Sequence, residues 1–134
     1  MIRVITPSET YPLRQQVLWP HKPLDFVKVP EDNTGLHFGY FADDELVSVI
    51  SLFINTQKIA RFRKFATLFA FQKKGFGSQL LQYTFQEAIQ QGAVQIGCDA
   101  RLEAAPFYQR FGMKQEGTIF YKQEIPYIRM SKLL

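Results

Sequence analysis

One segment of this chain, residues 63–89, most constrains how it can fold. It opens with an apolar, strand-like run that ends in two lysines and a Gly-x-Gly sequence. An amphipathic segment follows at once, and its apolar positions keep the i, i+3/i+4, i+7/i+8 spacing of a helix with one buried face. Those positions are Leu80, Leu81, Thr84, Phe85, Ala88 and Ile89. The segment therefore predicts a strand, a glycine turn and a helix in direct succession.

The start of the predicted helix suits an anionic ligand. The first helical N–H groups lack an intrahelical acceptor, and the macrodipole adds partial positive charge there. Gly75 and Gly77 have no Cβ, so a phosphate can approach the backbone closely, and Lys73 and Lys74 add full charges. The pattern is not a P-loop, whose lysine follows the glycines, nor a dinucleotide-binding turn, which needs a glycine where Leu80 stands.

Further motifs accompany the turn. Residues 72–77 read Gln-Lys-Lys-Gly-Phe-Gly, a strand-like run follows at 94–100, and residues 104–113 read Ala-Ala-Pro-Phe-Tyr-Gln-Arg-Phe-Gly-Met. Together they resemble the GNAT-type N-acetyltransferase superfamily, with its Gln/Arg-x-x-Gly-x-Gly/Ala loop and its Ala-x-x-Phe-Tyr-x-x-x-Gly-Phe helix. The closing stretch resembles the end of a small bacterial branch of that superfamily, although Tyr127 replaces the usual His after Ile-Pro. The resemblance covers residues 61–134.

The resemblance implies a fold and an activity. The fold class is α/β (α+β layered), a GNAT-like mixed, mostly antiparallel central sheet flanked by helices, with residues 1–134 as a single domain. The activity is that of an acyltransferase that uses acetyl-CoA as co-substrate. It would transfer the acetyl group to a primary amine of a small molecule or peptide by direct attack.

The resemblance also implies which residues bind the cofactor. The strand before the turn would pair with the pantetheine arm at Phe65, Ala66 and Thr67. The pyrophosphate would lie on the turn and on the first residues of the helix: Gln72, Lys73, Lys74, Gly75, Phe76, Gly77 and Ser78.

Catalytic roles are less evenly supported. Tyr108 matches the tyrosine that protonates the CoA sulfur in many members, with a core packing role as its alternative. The general base is open between His37, Asp99 and a water chain, although Asp99 is expected to pair with Arg101. Cys98 lies in an apolar run, where a free cysteine usually behaves as a small hydrophobe and not as a nucleophile.

Charge is unevenly distributed along the chain. Residues 1–57 carry four Lys/Arg against seven Asp/Glu, and residues 58–134 carry twelve against five. The basic part suits an anionic cofactor. The acids of the first part favour a cationic acceptor, and residues in and just after the first predicted helix are expected to shape its pocket. The acids concerned are Asp25, Glu31 and Asp32, and the pocket candidates are Arg14, Trp19 and His21.

Two other classes of function stay open. One is a CoA-binding sensor or assembly domain without turnover, since no base is assigned. The other is a nucleic-acid-binding module, which scattered basic residues disfavour. One Cys and two His give no zinc-ligand spacing, and the longest apolar runs have the length of strands. We expect no metal, no nucleic acid, no membrane, a cytoplasmic location without a signal peptide and a possible homodimer.

The remaining patterns predict the other elements. A first helix is expected at 10–19, with Thr10 as its capping residue. Strands are expected at 2–6, 37–41, 46–54, 59–70, 115–122 and 127–132.

Overall fold

A computed structural model describes all residues, 1–134. Its strands are β1 (Ile2–Val4), β2 (Leu36–Ala42), β3 (Glu45–Ile54), β4 (Ile59–Thr67), β5 (Gln95–Arg101), β6 (Lys114–Lys122) and β7 (Ile125–Leu133). Its helices are α1 (Pro7–Leu13), α2 (Phe76–Gln90) and α3 (Ala105–Gln109). The strands form one sheet in the order β1-β2-β3-β4-β5-β7-β6, in which only β4 and β5 pair in parallel. The mixed, mostly antiparallel sheet flanked by helices is confirmed.

The parallel pair is short, and this opens the sheet. β4 and β5 are joined only at Ile59–Gln95, Ala60–Ile96 and Arg61–Gly97. Beyond these pairs, β4 runs on to Thr67 and β5 to Arg101 without a ladder between them. The edge of β4 that faces β5 therefore leaves backbone N–H and C=O groups free to pair with an added extended chain.

A β-bulge bends β4 inside this open stretch. Val49 of β3 pairs with Ala66 and Ser51 pairs with Arg63, so β4 has one residue more than β3 between these pairs. Within the bulge, Lys64 has a φ of 55°, in the left-handed region that non-glycine residues rarely adopt. A bulge of this kind turns the strand and re-aims its side chains.

The two faces of the sheet are covered by different helices. α2 buries the predicted positions Leu80, Leu81, Thr84, Phe85 and Ala88 against Phe62 of β4 and against Ile96, Cys98 and Ala100 of β5. Ile89, which was predicted to face the core, is 46% exposed near the end of the helix. On the opposite face, Leu13 of α1 packs with Ile5, Val49 and Ala66. Each face of β4 and β5 thus has its own surroundings.

The first helix begins earlier than the sequence pattern predicted. Thr6, not Thr10, is its N-cap: the Glu9 N–H donates to Thr6 Oγ1 (3.3 Å), and the Thr6 N–H donates to Glu9 Oε1 (2.9 Å). This reciprocal pair is a capping box. α1 then passes into a π-helical turn, Arg14–Leu18.

β4 ends at Thr67 and not at residue 70, because a short 3-10 turn, Phe69–Phe71, follows it. No helix is long and apolar enough to cross a lipid bilayer.

Candidate functional site

The gap between β4 and β5 opens into a cleft of about 870 Å³. Because side chains alternate along a strand, the cleft has two chemically different sides. Phe65, Thr67 and Tyr108 line it on the side of α2 and α3, whereas Arg61 and Asp99 line it on the side of α1. The cleft therefore has two walls of different chemistry.

The phosphate turn, which we define as residues 72–78, lies at the first of these sides. Lys73 and Gly75 have φ values of 62° and 87°, and α2 begins at Phe76 with Gly75 as its N-cap and no side-chain cap. None of the six backbone N–H groups from Lys73 to Ser78 donates a hydrogen bond within the protein. A turn with six free donors at the start of a 15-residue helix is a strong anion-binding arrangement.

Gly77 lets this turn pack closely against β4. A Cβ at Gly77 would lie 3.2 Å from Thr67 Oγ1 and 3.3 Å from Phe65 Cζ, tighter than most real contacts. The side chain of Gln72 fastens the turn further, since its Nε2 donates to the Thr67 carbonyl oxygen at 2.9 Å. The turn and the free edge of β4 thus form one continuous surface.

Most predicted cofactor residues line the cleft, and two do not. The lining residues are Phe65, Ala66, Thr67, Gln72, Lys73, Gly75, Gly77 and Ser78. The ring of Phe76 instead packs 4.8 Å from the ring of Tyr40, and Lys74 Nζ lies 5.6 Å from the ring centroid of Phe71. Phe76 and Lys74 can therefore contribute to the site through their backbone N–H groups and not through side-chain contacts.

Tyr108 faces the cleft from α3 and is only 8% exposed. Its ring centroid lies 5.7 Å from that of Phe62 and 5.3 Å from that of Phe107, and its hydroxyl makes no hydrogen bond within the protein. Burial raises the pKa of Tyr108 far above its ordinary value. The hydroxyl is therefore protonated at neutral pH and has no protein partner to compete with a ligand.

His37 is not at the cleft. It is 2% exposed, and its two ring nitrogens are already engaged, Nδ1 with Ser51 Oγ at 2.7 Å and Nε2 with the Asp32 carbonyl oxygen at 2.7 Å. A general base must reach the proton that it removes, directly or through one water. We therefore correct the assignment of His37 as a candidate base: it belongs to a buried hydrogen-bonded network.

The same network holds Arg14 and Asp32, which were expected to serve the acceptor. Arg14 Nη1 and Nη2 each lie 2.9 Å from an Asp32 carboxylate oxygen, and both residues are buried. Burial alone would raise the pKa of Asp32, but hydrogen bonds from Arg14 and from the Val29 N–H outweigh it and hold the pKa below its usual range. Neither residue lines the cleft, and His21 does not line it either, whereas Trp19 does.

Asp99 pairs with other residues than the sequence suggested. Its carboxylate lies 2.8 Å from Arg61 Nη2, 3.0 Å from Lys122 Nζ and 3.4 Å from Arg129 Nη1. Burial opposes ionisation, but these cations outweigh it and lower the pKa of Asp99. A carboxylate held by three cations is a poor proton acceptor. Arg101 instead lies over the Trp19 ring, 5.2 Å from its centroid, and donates to the Leu18 carbonyl oxygen.

Several cleft residues were not anticipated from the sequence: Arg61, Arg63, Lys64, Phe107 and Lys122. The Arg-x-Arg alternation at 61 and 63 was the one local signal, because it places two cations on the same side of β4. Burial, reinforced by Arg63 and other cations, lowers the pKa of Lys64 to about 8.

Cys98 also lines the cleft but is not poised to react. Burial raises the pKa of its thiol to about 12. The side chain is therefore an uncharged thiol at neutral pH, in agreement with its predicted role as a small hydrophobe.

Comparisons with known proteins agree on one family. A family model for the acetyltransferase (GNAT) domain matches residues 25–134. An uncharacterized N-acetyltransferase of Bacillus subtilis (strain 168), YitI, is 28% identical in an alignment of 127 residues that covers 89% of this chain and 85% of that protein.

Solved structures show the same fold. A Lactobacillus plantarum protein superposes with a TM-score of 0.87 and 22% identity, over 99% of this chain and 98% of that one. A Bacillus subtilis acetyltransferase in complex with CoA superposes with a TM-score of 0.78 and 23% identity, over 99% of this chain and 97% of that one. On the family match, the chain belongs to the GNAT acetyltransferase family and is an acyltransferase.

Proposed function

We propose that this protein transfers an acetyl group from acetyl-CoA to a primary amine of a small molecule or peptide, by direct attack of the amine on the thioester. In this proposal residues 1–134 act as one domain. The observation that carries it is the phosphate turn, whose six free N–H groups adjoin the unpaired edge of β4 in one cleft. These are the donors that a pyrophosphate and an extended amide-bearing arm require.

The cofactor would occupy the side of the cleft next to α2 and α3. Its pyrophosphate would accept hydrogen bonds from the backbone between Lys73 and Ser78, with Lys73 adding charge. Its pantetheine arm would extend along β4 at Phe65, Ala66 and Thr67, as an added strand. The acyltransferase from Bacillus subtilis with the same fold was solved with CoA bound, which supports this class of ligand.

Tyr108 is the proposed general acid. As the amine nitrogen bonds to the thioester carbonyl carbon, the carbon–sulfur bond breaks and the electron pair stays on sulfur. The Tyr108 hydroxyl then gives its proton to this thiolate and regains one from solvent. Burial beside Phe62 and Phe107 keeps the hydroxyl protonated at neutral pH, and a thiolate formed in the same apolar surroundings would also hold a proton more tightly.

Water is the proposed acceptor of the amine's proton. Neither His37 nor Asp99 is free to take it. The side chain of Lys64, which lines the cleft, ends in an alkylammonium group like that of a protonated amine acceptor. Burial and neighbouring positive charges lower its pKa to about 8. An acceptor ammonium in the same surroundings would lose its proton to water more readily, without a dedicated base.

Two measurements test this function. Titration calorimetry should show one CoA bound per chain, and excess polynucleotide should not displace it. Thiol release from acetyl-CoA should then depend on an added primary amine, across a broad panel. Absence of CoA binding would overturn the cofactor assignment. CoA binding without amine-dependent thiol release would identify a CoA sensor in place of an enzyme.

A further inference from the structure

The side of the cleft opposite the phosphate turn carries an unusual concentration of positive charge. We call it the basic face: Arg61, Arg63 and Lys64 from β4, Arg101 from β5, Lys122 from β6 and Arg129 from β7. Asp99 is at its centre, bound to three of these cations within 3.4 Å. All of them except Arg129 line the cleft itself.

Negative charge on this face falls well short of the positive charge. Besides Asp99, the one other carboxylate within 4.0 Å is that of Glu31, which lies 3.9 Å from Arg63 and is 61% exposed. Lys64 and Arg101 have no carboxylate partner at all within that distance. Six cations therefore share two carboxylates, and the excess faces the open cleft.

Solvent screens this excess of positive charge only in part. Asp99 is only 18% exposed, and Arg61, Lys122 and Arg129 are each between 34% and 40% exposed. Arg61 Nε is buried without a hydrogen-bond partner. Burial and four neighbouring cations act together on the Lys64 ammonium and lower its pKa. A bound anion stabilises crowded, partly buried cations more than it stabilises fully solvated surface lysines.

The phosphates of CoA cannot be that anion in the proposed binding mode. Phe62 of β4 faces the core under α2, as do Cys98 and Ala100 of β5. Arg61 precedes Phe62, and Asp99 lies between Cys98 and Ala100, so both face the opposite side of the sheet. The ion pair between Arg61 and Asp99 marks the narrow end of the cleft. Along β4, about 20 Å of strand separates Arg61 from Thr67, and the phosphate turn lies beyond Thr67. The cofactor already has six backbone donors on its own side.

We propose that the acceptor is an anionic amine: a primary amine that also carries a carboxylate or phosphate group, which binds the basic face while the amine reaches the thioester. This proposal rests on the proposed function and names its substrate class. It replaces the cationic acceptor that the acidic first part of the sequence had favoured. Asp25, Glu31 and Asp32 do not line the cleft, and Asp32 is bound to buried Arg14.

The test compares amines that differ only in the acidic group. Thiol release from acetyl-CoA is followed with β-alanine against β-alaninamide, phosphoethanolamine against ethanolamine, and putrescine as a cationic amine. A charge-assisted contact should give each acid a kcat/KM about 10- to 100-fold above its neutral match. The carboxylate and phosphate pairs show which anion is preferred. Equal or better use of neutral amines or putrescine would overturn the proposal.

A variant pair ties any preference to the basic face. Lys122→Gln should lower the acid-to-neutral ratio of kcat/KM by about 10-fold, because it removes one cation while Arg61 and Arg129 still hold Asp99. Lys114→Gln is the matched control at the other, exposed end of β6, and its ratio should stay at the wild-type value. An unchanged ratio in Lys122→Gln would count against the assigned face.

Binding separates this proposal from the function on which it rests. With CoA-saturated protein, calorimetry compares phosphoethanolamine with ethanolamine and β-alanine with β-alaninamide. Tighter binding of the acids without thiol release would disprove acetyl transfer and support an anion site. If the acids bind no more tightly than their neutral matches, the anion site is disproved, whether or not amines are acetylated.

Discussion

The phosphate turn and the basic face lie on opposite sides of one sheet and present positive charge in different ways. The turn uses consecutive backbone N–H groups, with no buried ionised side chain. The basic face uses side chains from four strands that are as much as 68 residues apart, Arg61 to Arg129. Local backbone conformation therefore determines the first site, and the tertiary fold assembles the second.

Because of this difference, the two surfaces tolerate different kinds of substitution. A backbone donor is lost only when the chain itself is displaced, so the turn resists most side-chain substitutions. The basic face can lose or gain one charge at a time without disturbing the sheet. Under the proposed function, this division would let the acceptor site change while the cofactor site stays the same, and four substitutions can sharpen or break the comparison.

The largest effect should come from the buried ion pair of Arg14 and Asp32, which also binds Ser51 on β3, the strand next to Arg63. Asp32→Asn leaves the buried Arg14 guanidinium without its anion, which should cost about 3–5 kcal/mol of unfolding free energy. Chemical denaturation measures this loss. Asp25→Asn, which breaks an exposed pair with Lys28, is the control and should leave the denaturation midpoint unchanged.

The same ion pair sets a dependence on pH. Since the folded state lowers the pKa of Asp32, its stabilisation is present above the ordinary carboxyl pKa and is lost as pH falls through the lowered folded value. The difference in unfolding free energy between wild type and Asp32→Asn should therefore narrow below about pH 4. A constant gap down to pH 2 would refute this account.

Gly77→Val tests the turn. Its methyl groups would collide with Thr67 and Phe65 and displace the first turn of α2, so the CoA dissociation constant should rise about 100-fold through loss of two or more donors. Gly77→Ala should cost less. If the valine variant is folded by circular dichroism and binds CoA like wild type, the turn does not hold the cofactor.

Tyr108→Phe tests whether chemistry lies between the two sites. Removal of the hydroxyl should lower kcat about 100-fold, while CoA affinity and folding stay intact. Tyr83→Phe is a matched control, because Tyr83 lies on α2 against Phe38 and does not line the cleft. A wild-type kcat in Tyr108→Phe would make Tyr108 a packing residue.

The smallest effect should be a gain in stability. Lys64→Met removes a half-buried cation whose pKa the fold lowers to about 8, and it should add about 1–2 kcal/mol at pH 7 after allowance for solvent screening. Because the unfolded chain keeps this proton up to its ordinary pKa, the gain should shrink as pH rises from about 8 to 10.5.

Lys58→Met is the control for that gain. Lys58 has a similar φ, 64°, but lies exposed in the turn before β4, so the same substitution should leave stability nearly unchanged. A destabilised Lys64→Met variant would show that the basic face is not crowded with charge.

The sequence predicted the part of the site that is continuous along the chain. The strand, turn and helix around residues 63–89 follow from hydrophobic period, two glycines and helix-end chemistry, all local signals. Errors there are small: β4 ends at Thr67 and not at residue 70. The first helix was placed too late, because Thr6 and Glu9 cap it where Thr10 had been expected to.

Residues whose roles depend on partners across the sheet could not be predicted this way. The sequence around His37 predicts a strand residue that faces the cleft. In the structure its two ring nitrogens are instead hydrogen-bonded to Ser51 and to the Asp32 carbonyl oxygen. Asp99 was paired with nearby Arg101, but cross-strand neighbours supply Arg61, Lys122 and Arg129. Such contacts follow from register and from the bulge in β4, neither of which leaves a local pattern.

The short parallel seam has a mechanical consequence. Seven residue pairs join β2 to β3 and seven join β5 to β7, but three join β4 to β5. Because so few residue pairs join them, we expect the part of the sheet before β5 and the part from β5 onward to hinge at this joint more readily than either part bends. In the proposed function, both ligands would lie in the gap that the angle at this joint sets. A slight change at the joint, around Ile59 to Arg61, would alter the distance between thioester and amine without touching a contact to either.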